Sequence, residues 1–537
     1  MILRAFAFLI CLLPFHPFLA DAATYYVDET DPAALDTNPG TSALPWLTCQ
    51  KAANTMVAGD TTIFKVGGEY DENCIPVNSG AAGNLITFTA AAGAPKAKIR
   101  KMDMNAKDYI AITNLEFTNQ GMSSSIPTLD LGGCTGCVVT DNYIHDTDGI
   151  GIRCMSSLCD GLKILRNRLL RIGPAWPGGT GRTIGMQLYA INSEVADSDI
   201  QLVDDYMNMW GSTTCNKNVV RGNFWHESLR SETANGAVHI DGLQSYCSAG
   251  WTFTCTLLEG NRHINDPDAD IHTFLITPNT GCGGVGSFLD TIIIRHNETR
   301  NIGSVFLGTN STGDSNVEIY NNTSRVNNVT NPTFGSTAQV VDNSSLLNNI
   351  FEDAVGATAV SKTGYIIDGA GNTTNYNWWW MTTGSVTWAS PAGDEANGPA
   401  FRNVNPQFVS STDSNLQAGS GAVDAGRHLT TVHVDDTGTG TTLVLTDAHS
   451  FQDGWAGVNP DWIAIGTVTN AVQIAAGGIN YSTNTVTLAN SIPRSDGQSV
   501  WLYKNSKGIQ VLWGSAPDLG AYERGGQTAG HCCGVIQ

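Results

Sequence analysis

One short pattern of apolar and polar positions recurs through the middle of the chain: two or three apolar residues, a polar residue, then Asn. It reads Ile110-Ala-Ile-Thr-Asn114, Val138-Val-Thr-Asp-Asn142, Ile164-Leu-Arg-Asn167, Val219-Val-Arg-Gly-Asn223, Leu257-Leu-Glu-Gly-Asn261, Ile292-Ile-Ile-Arg-His-Asn297, Val317-Glu-Ile-Tyr-Asn-Asn322 and Leu346-Leu-Asn-Asn349. Successive Asn residues are 28, 25, 56, 38, 36, 25 and 27 positions apart, so the base period is 25 to 28 residues, stretched by loops. A repeat of that length predicts a solenoid, in which each coil buries its aliphatic residues against the coils above and below. An Asn at the same corner of every coil can bond to its equivalents and satisfy backbone groups that a sharp corner would leave unpaired. Most of these Asn are therefore structural.

The strand that follows each Asn can be aligned on apolar pairs: Ile150/Ile152, Ile184/Met186, Val238/Ile240, Phe274/Ile276 and Val305/Leu307. Residues alternating with these face outward. Arg153 then lies on one coil, Gln187 and Tyr189 on the next, and His239, Asp241 and Gln244 beyond them. His239 and Asp241, two apart on a strand, should face the same side roughly 7 Å from one another. The period stretches where Trp176, the segment Glu227 to Arg230, and the cluster Asp266, Asp268 and Asp270 intervene, and these loops are expected to wall a groove. Asp148 is expected at the same edge, about two coils from Asp241, with Asp266 about one coil away.

Past Ala422-Val-Asp-Ala-Gly426 the grammar changes. Alternating segments such as Thr442-Leu-Val-Leu-Thr446, Trp462-Ile-Ala-Ile465 and Val500-Trp-Leu-Tyr503, separated by Gly, Asn and Asp turns, predict a small antiparallel β module over 427–514. It is expected to be an insertion packed on the last coils, with residues 515–537 resuming the closing segment of the coil, which itself spans 23–426. The run Trp378-Trp379-Trp380 is expected to serve packing.

Composition narrows the classes. Among 537 residues, charged side chains make up only 14% and glycines number 58, which favours strands and turns over long helices. A formal net charge of -21 argues against nucleic acid or an anionic membrane as partner. Residues 1–22 read as a signal peptide: Arg4, an apolar run from Ala5 to Leu19, then Ala20-Asp21-Ala22. No stretch approaches the roughly 20 apolar residues of a membrane span. The expectation is a protein secreted or delivered to the periplasm, with no membrane insertion after cleavage. Removing Cys11 leaves an even set of cysteines in an oxidising setting, and Cys49/Cys74, Cys134/Cys137, Cys154/Cys159 and Cys247/Cys255 are candidate disulfides.

The opening stretch Ala23-Thr-Tyr-Tyr-Val27, Asn38-Pro-Gly-Thr41 and Gly67-Gly-Glu-Tyr70, the repeat itself, and the closing Ala516-Pro-Asp-Leu-Gly-Ala-Tyr-Glu523 together resemble the right-handed parallel β-helix superfamily of pectate lyases, polygalacturonases and chondroitinase-like lyases. The resemblance implies an all-β, single-stranded parallel solenoid and a polysaccharide substrate held along one sheet. It does not supply site residues, because the paired-Asp signature of polygalacturonases and the Lys and Arg strand motifs of chondroitinase-like lyases are both missing.

Two reactions fit the groove residues. A hydrolase needs one carboxylic acid to protonate the leaving oxygen and a second carboxylate to activate water or attack the sugar, for which Asp241 with Asp148, Glu227 or Asp266 is the candidate set, without any cofactor. A lyase needs its substrate's carboxylate neutralised by Ca²⁺ or Arg and a base to remove the neighbouring proton. Asp266, Asp268 and Asp270 are then candidate Ca²⁺ ligands, with His239, Arg153 or Arg230 at the reacting carbon. Arg153, Gln187, Tyr189, Trp176, Arg230 and Gln244 are candidate substrate-binding residues. A non-catalytic adhesin or tailspike-like binder using the same groove is the alternative.

Overall fold

The computed structural model describes residues 22–93, 95–121, 125–173, 184–203, 205–227, 240–246, 251–266, 271–276, 289–302, 305–308, 312–326, 333–334, 340–353, 360–361, 371–381, 386–387 and 403–525. Two long parallel sheets dominate them, one of 14 strands and one of 20. The larger divides at Lys98–Asp103, whose first residues pair with Glu116–Phe117 and whose last pair with Pro127–Asp130. Beyond that point it forms two columns. The corner column runs through Tyr143–Thr147, Arg168–Ile172, Asp199–Gln201, Phe224–His226 and Arg262–Asp266. The groove column runs through Ile150–Asp160, Ile184–Ile191, Asp205–Trp210, Ile240–Tyr246 and Ile271–Leu275. Each coil thus gives one strand to the 14-stranded sheet and one to each column, and every strand pairs in parallel with its equivalent in the next coil. This is a right-handed parallel β-helix, the handedness that parallel connections take.

The recurring sequence pattern explains the corner between the 14-stranded sheet and the corner column. The residue before the ladder position adopts a left-handed backbone, φ 59° at Asp141, 53° at Arg166, 66° at Gly222, 64° at Gly260 and 56° at His296, which swings the chain round. The Asn that follows turns its amide along the helix axis. Asn223 Nδ2 donates to Asn261 Oδ1 (3.0 Å), Asn261 to Asn297 (3.1 Å), Asn297 to Asn322 (3.0 Å), Asn322 to Asn349 (3.0 Å) and Asn349 to Asn377 (2.9 Å). Each Oδ1 also accepts the backbone N–H of the preceding ladder residue, as in Asn261 N to Asn297 Oδ1 at 2.9 Å.

Two ladder positions are not Asn. Ser198 stands between Asn167 and Asn223, its Oγ accepting from Asn167 N (3.2 Å) and its own N donating to Asn223 Oδ1 (3.1 Å), so the 56-residue gap holds two coils. At the first position it is Leu115 whose N–H meets Asn142 Oδ1 (3.0 Å), and Asn114 is instead the left-handed residue before it.

Inside the helix the rows are apolar and stacked, for example Met102, Leu129, Ile152, Met186, Met207, Leu243 and Phe274, all buried. Trp379 stacks inward on Phe351 at 4.4 Å, and Trp378 is covered by Phe408, Leu416 and Leu519 of the closing segment. The antiparallel module is a six-stranded sheet from Thr430–Thr431 to Ser499–Lys504. It packs along the outer face of the 14-stranded sheet, where Val219, Leu257, Ile293 and Leu347 meet Leu443, Phe451, Trp455, Ile463 and Val500.

Among the described residues three disulfides form: Cys49–Cys74, Cys154–Cys159 and Cys215–Cys255. The last replaces the expected Cys247/Cys255 bridge. Cys215 lies one coil below Cys255, beside the bridge between Ser212 and Thr252, with Cα atoms 5.3 Å apart. The expected Cys134–Cys137 bridge is also absent. Both thiols are free and turned into the core, Cys134 Sγ against Cys159 Sγ at 3.9 Å and Cys137 Sγ against the Lys107 carbonyl at 3.5 Å. Among the described residues no helix is long and apolar enough to cross a membrane. The signal peptide expected at 1–22 falls, except for Ala22, outside the described residues.

Candidate functional site

The outer face of the groove column is built by register. Because Ile152, Met186, Met207 and Leu243 point inward, the residues after them point outward, and Arg153, Gln187, Asn208 and Gln244 form one row across four adjacent strands. A second row is produced by a bend. Tyr206 and Met207 are consecutive yet both buried in the core, Tyr206 with its ring 5.4 Å from His263 and 6.3 Å from Trp225. The chain therefore turns between them, and Asp205 and Asn208 approach on the outside, Asn208 Nδ2 donating to Asp205 Oδ2 at 3.2 Å. Gly242 matches Tyr206 on the next coil. A Cβ there would lie 2.7 Å from Trp225 and 2.5 Å from the Thr273 carbonyl, so only glycine lets the strand pass.

Asp205 consequently sits directly opposite Asp241, and Asp241 opposite His272. Nδ1 of His272 donates to Oδ1 of Asp241 at 2.9 Å. Both aspartates are fully buried, at 0% exposure, while His272 keeps 16% of its side chain exposed. Two carboxylates in register on neighbouring parallel strands have their Cα atoms about 4.8 Å apart. Beside them runs an aromatic edge in which Tyr189, Trp210 and Tyr246 are in register. Tyr189 stacks on Trp251 at 4.6 Å, Trp210 stacks on Tyr246 at 4.6 Å, and the Tyr246 hydroxyl donates to Gln244 Oε1. All four rings are partly exposed, and such faces suit sugar rings.

The expected site residues fall unevenly around this constellation. Asp241, Gln187, Tyr189 and Gln244 share one face. Gln244, not Asp241, is level with Gln187 and Arg153, because the inward residue opposite Met207 is Leu243 and the register of this coil differs by three from the alignment on Ile240. Arg153 lies on the same row but three strands from Gln244, and it is paired with Asp130 at 2.6 Å. Asp148 precedes the strand Ile150–Asp160, also three strands from Asp241, or about 14 Å at 4.8 Å per strand, rather than two coils; its carboxylate accepts from the Gly121 backbone. Glu227 directly follows the corner-column strand of the Asp241 coil, is 48% exposed and accepts from Gln201. Asp266 is the last residue of its corner-column strand, paired with Ile302. His239, Trp176, Arg230, Asp268 and Asp270 lie outside the described residues. Neighbouring Asp146 is held as a carboxylate by the guanidinium of Arg171, with help from His145, and belongs to a structural ion pair.

Two members of the constellation, Asp205 and His272, are not legible from a repeat counted on Asn alone. The coil that carries Asp205 has Ser198 at its corner, so its strand Asp205–Trp210 never enters an alignment keyed to Asn. The alternation in Asp205-Tyr-Met-Asn-Met-Trp210 and the doubled 56-residue spacing are the signals that would have found it.

No family model matches the chain, and no curated protein matches it. Solved structures do share its architecture at low identity. A GH136 lacto-N-biosidase from Eubacterium ramulus is 13% identical with a TM-score of 0.42, over 66% of this chain and 67% of its own. XylC, solved in complex with xylose, is 11% identical with a TM-score of 0.44, over 93% of this chain and 98% of its own. The pectate lyase Pel9A is 13% identical with a TM-score of 0.30, over 76% and 92%.

Proposed function

We propose that this protein is an exported enzyme that hydrolyses a polysaccharide lying across the groove column, with Asp205 and Asp241 as its two carboxylates. The observation that carries the reading is their direct opposition on adjacent strands, with His272 bonded to Asp241. Strand spacing puts such a pair near the roughly 5–5.5 Å that separates the carboxyl groups of retaining glycosidases. Two buried carboxylates at that range favour sharing a proton over both being ionised. The hydrogen bond from His272 favours the charged form of Asp241, which makes it the nucleophile and Asp205 the proton donor. Asp205 would protonate the glycosidic oxygen as Asp241 attacks the anomeric carbon, then take a proton from the water that releases the sugar. Gln187, Asn208 and Gln244 offer amides to sugar hydroxyls, and Tyr189, Trp210, Tyr246 and Trp251 offer ring faces. Export is supported by the three disulfides, which persist in oxidising compartments.

A lyase is the second reading, favoured by the cations Arg100, Lys101 and Arg153 near one end of the row. Its base would be the Asp241–His272 pair, and Ca²⁺ held by Asp266, Asp268 and Asp270 would neutralise the substrate's carboxylate. The test is a panel of neutral and uronic polysaccharides, with and without chelator, followed by reducing ends and by absorbance at about 235 nm, where the unsaturated product of elimination absorbs. Hydrolysis predicts new reducing ends without absorbance, abolished in Asp241→Asn and in Asp205→Asn. Absorbance would favour the lyase. Full activity in Asp241→Asn would remove this site from the reaction, and binding without either product would leave a recognition protein.

A further inference from the structure

Four cysteine sulfurs meet on the inner side of two successive coils, and two of them are bonded. Cys154 and Cys159 form a disulfide across the bulge at residues 155–158, while Cys134 and Cys137, one coil below, are buried free thiols. The backbone puts Cys134 directly beneath Cys159. Thr135 bridges Asp160 in parallel, the N–H of Asp160 donates to the Cys134 carbonyl at 3.1 Å, and the N–H of Gly136 donates to the Asp160 carbonyl at 2.8 Å. The residues just before that bridge are therefore in register. Both turn their side chains into the core, and Cys134 Sγ rests 3.9 Å from Cys159 Sγ. Parallel strands hold such Cα atoms about 4.8 Å apart, inside the roughly 4.4–6.8 Å that a disulfide spans.

A covalent tie between coils is already a feature of this chain, since Cys215–Cys255 joins one coil to the next with its Cα atoms 5.3 Å apart. The two pairings open to Cys159 differ in how they arise. Cys154 is 5 residues away and Cys134 is 25, so loop closure in the unfolded chain favours the local bridge by about tenfold. That preference disappears once the coils stack, because both partners are then held beside Cys159. Cys137 is the other neighbour of Cys134, to which it is hydrogen-bonded. Joining those two thiols requires an external oxidant, whereas exchange with the existing disulfide requires none.

We propose that Cys134 is a thiol–disulfide exchange site that converts the Cys154–Cys159 bridge into a Cys134–Cys159 bridge between coils. The Cys134 thiol gives up its proton and its sulfur attacks Cys159 Sγ. The Cys154–Cys159 bond breaks with its electron pair leaving on Cys154, which takes up a proton. One disulfide and two thiols enter the step, and one disulfide and two thiols leave it. The hydrogen bond with Cys137 first, and burial second, push the Cys134 thiol well above its ordinary value, with the charge of Asp108 adding to the effect. The thiolate is the attacking form, so the local bridge persists near neutral pH and alkali drives the exchange. The consequence reaches the groove column. Cys154 pairs with Leu188 and Cys159 with Ala190, which sets residues 155–158 opposite Tyr189, and Cys154 Sγ lies 3.5 Å from the Tyr189 carbonyl. Exchange unties one end of that bulge beside Tyr189 while tying two coils together.

The purified, unreduced chain is held folded at pH 6 and at pH 9, quenched with acid, alkylated at low pH in denaturant, digested without reduction and mapped by mass spectrometry. The expected result is a Cys134–Cys159 peptide that grows as Cys154–Cys159 falls, about tenfold or more faster at pH 9 than at pH 6, with Cys154 newly alkylated and the number of thiols constant. Cys134→Ser should show no change in pairing. Cys154→Ser gives a second measurement: with oxidised glutathione as the oxidant it should form the Cys134–Cys159 bridge, and thermal melts report whether it folds. If it does not fold, the parent decides. Cys134 bonded to Cys137 in the parent, or Cys134 still a thiol after incubation at both pH values, would overturn the proposal. Equal growth of the new bridge in the urea-unfolded chain would overturn it too, since the folded register would then play no part. The bridge in Cys154→Ser but not in the parent would leave the register right and the exchange wrong.

Discussion

Nη1 and Nη2 of Arg295 each donate to a different carboxylate oxygen of Asp461, both at 2.7 Å, and neither side chain reaches solvent. Arg295 belongs to the 14-stranded sheet and Asp461 to the antiparallel module, so the pair spans the two. Glu259 takes Nε of the same guanidinium at 2.7 Å and the Tyr320 hydroxyl accepts from Nη1 at 2.9 Å, which spreads one positive charge over a fully buried network. A buried pair of this kind contributes more to how the parts dock than to net stability, but removing one partner leaves a charge stranded. Asp461→Ala should therefore cost about 3–5 kcal/mol, read as a lower urea midpoint. An unchanged midpoint would mean that the module is not held by this contact.

Glu318 lies on the same interface with a different outcome. Burial first, and then the charge of Asp447, push its carboxyl from the ordinary 4.5 up to about 7, while the hydroxyls of Ser345 and Ser450 donate to Oε2. A carboxyl whose folded pKa is raised keeps its proton where the unfolded chain has lost it, so stability falls as pH rises from about 4.5 to 7. The loss is on the order of 3 kcal/mol. Glu318→Gln should match the parent at pH 4 and be more stable at pH 8, which thermal melts across that window would show. A parallel pH profile for parent and variant would contradict it.

The Asn ladder makes a prediction about tolerance. Asn261 accepts from Asn223, donates to Asn297 and donates to the Val220 carbonyl at 2.9 Å, all away from water. Asn261→Leu should cost about 2–4 kcal/mol because it strands several buried polar groups at once. Asn261→Ser should cost less than half as much, since Ser198 already fills an equivalent corner. Equal losses for the two variants in urea denaturation would show that the ladder bonds are not what the corner needs.

At the aromatic edge, Tyr189→Ala removes one ring of the stacked pair with Trp251. If those faces hold sugar rings, KM for a cleaved polysaccharide should rise about five- to tenfold with kcat little changed, in keeping with the roughly 0.5–1.5 kcal/mol such contacts supply. A fall in kcat with constant KM would place the pair in the chemical step instead.

The solenoid was legible because its signal is periodic. Apolar runs, a left-handed residue and an Asn recur at a spacing that no compact fold imposes, and the corner hydrogen bonds tie that spacing to physics. The site was less legible, for two reasons found in particular residues. Ser198 does the work of an Asn, so a whole coil with Asp205 on it passes unseen. The bend between Tyr206 and Met207 puts two successive side chains inside, which breaks the alternation used to align Asp241 and shifts its neighbours by three positions. One disulfide followed coil stacking instead of closeness in sequence: Cys215 and Cys255 are separated by 40 residues yet lie one above the other, whereas Cys154 and Cys159 pair as neighbours.

The two ends of the module meet at one point of the coil. The N–H of Gly426 donates to the Pro517 carbonyl at 2.7 Å, so the chain leaves and rejoins the coil at one place, and everything between could be cut out and the ends joined by a short turn. Val219, Leu257, Ile293 and Leu347 present an apolar surface outward that the module covers, and a chain without the module would expose that flank. Removal of the module is therefore expected to turn a monomeric flank into one that self-associates.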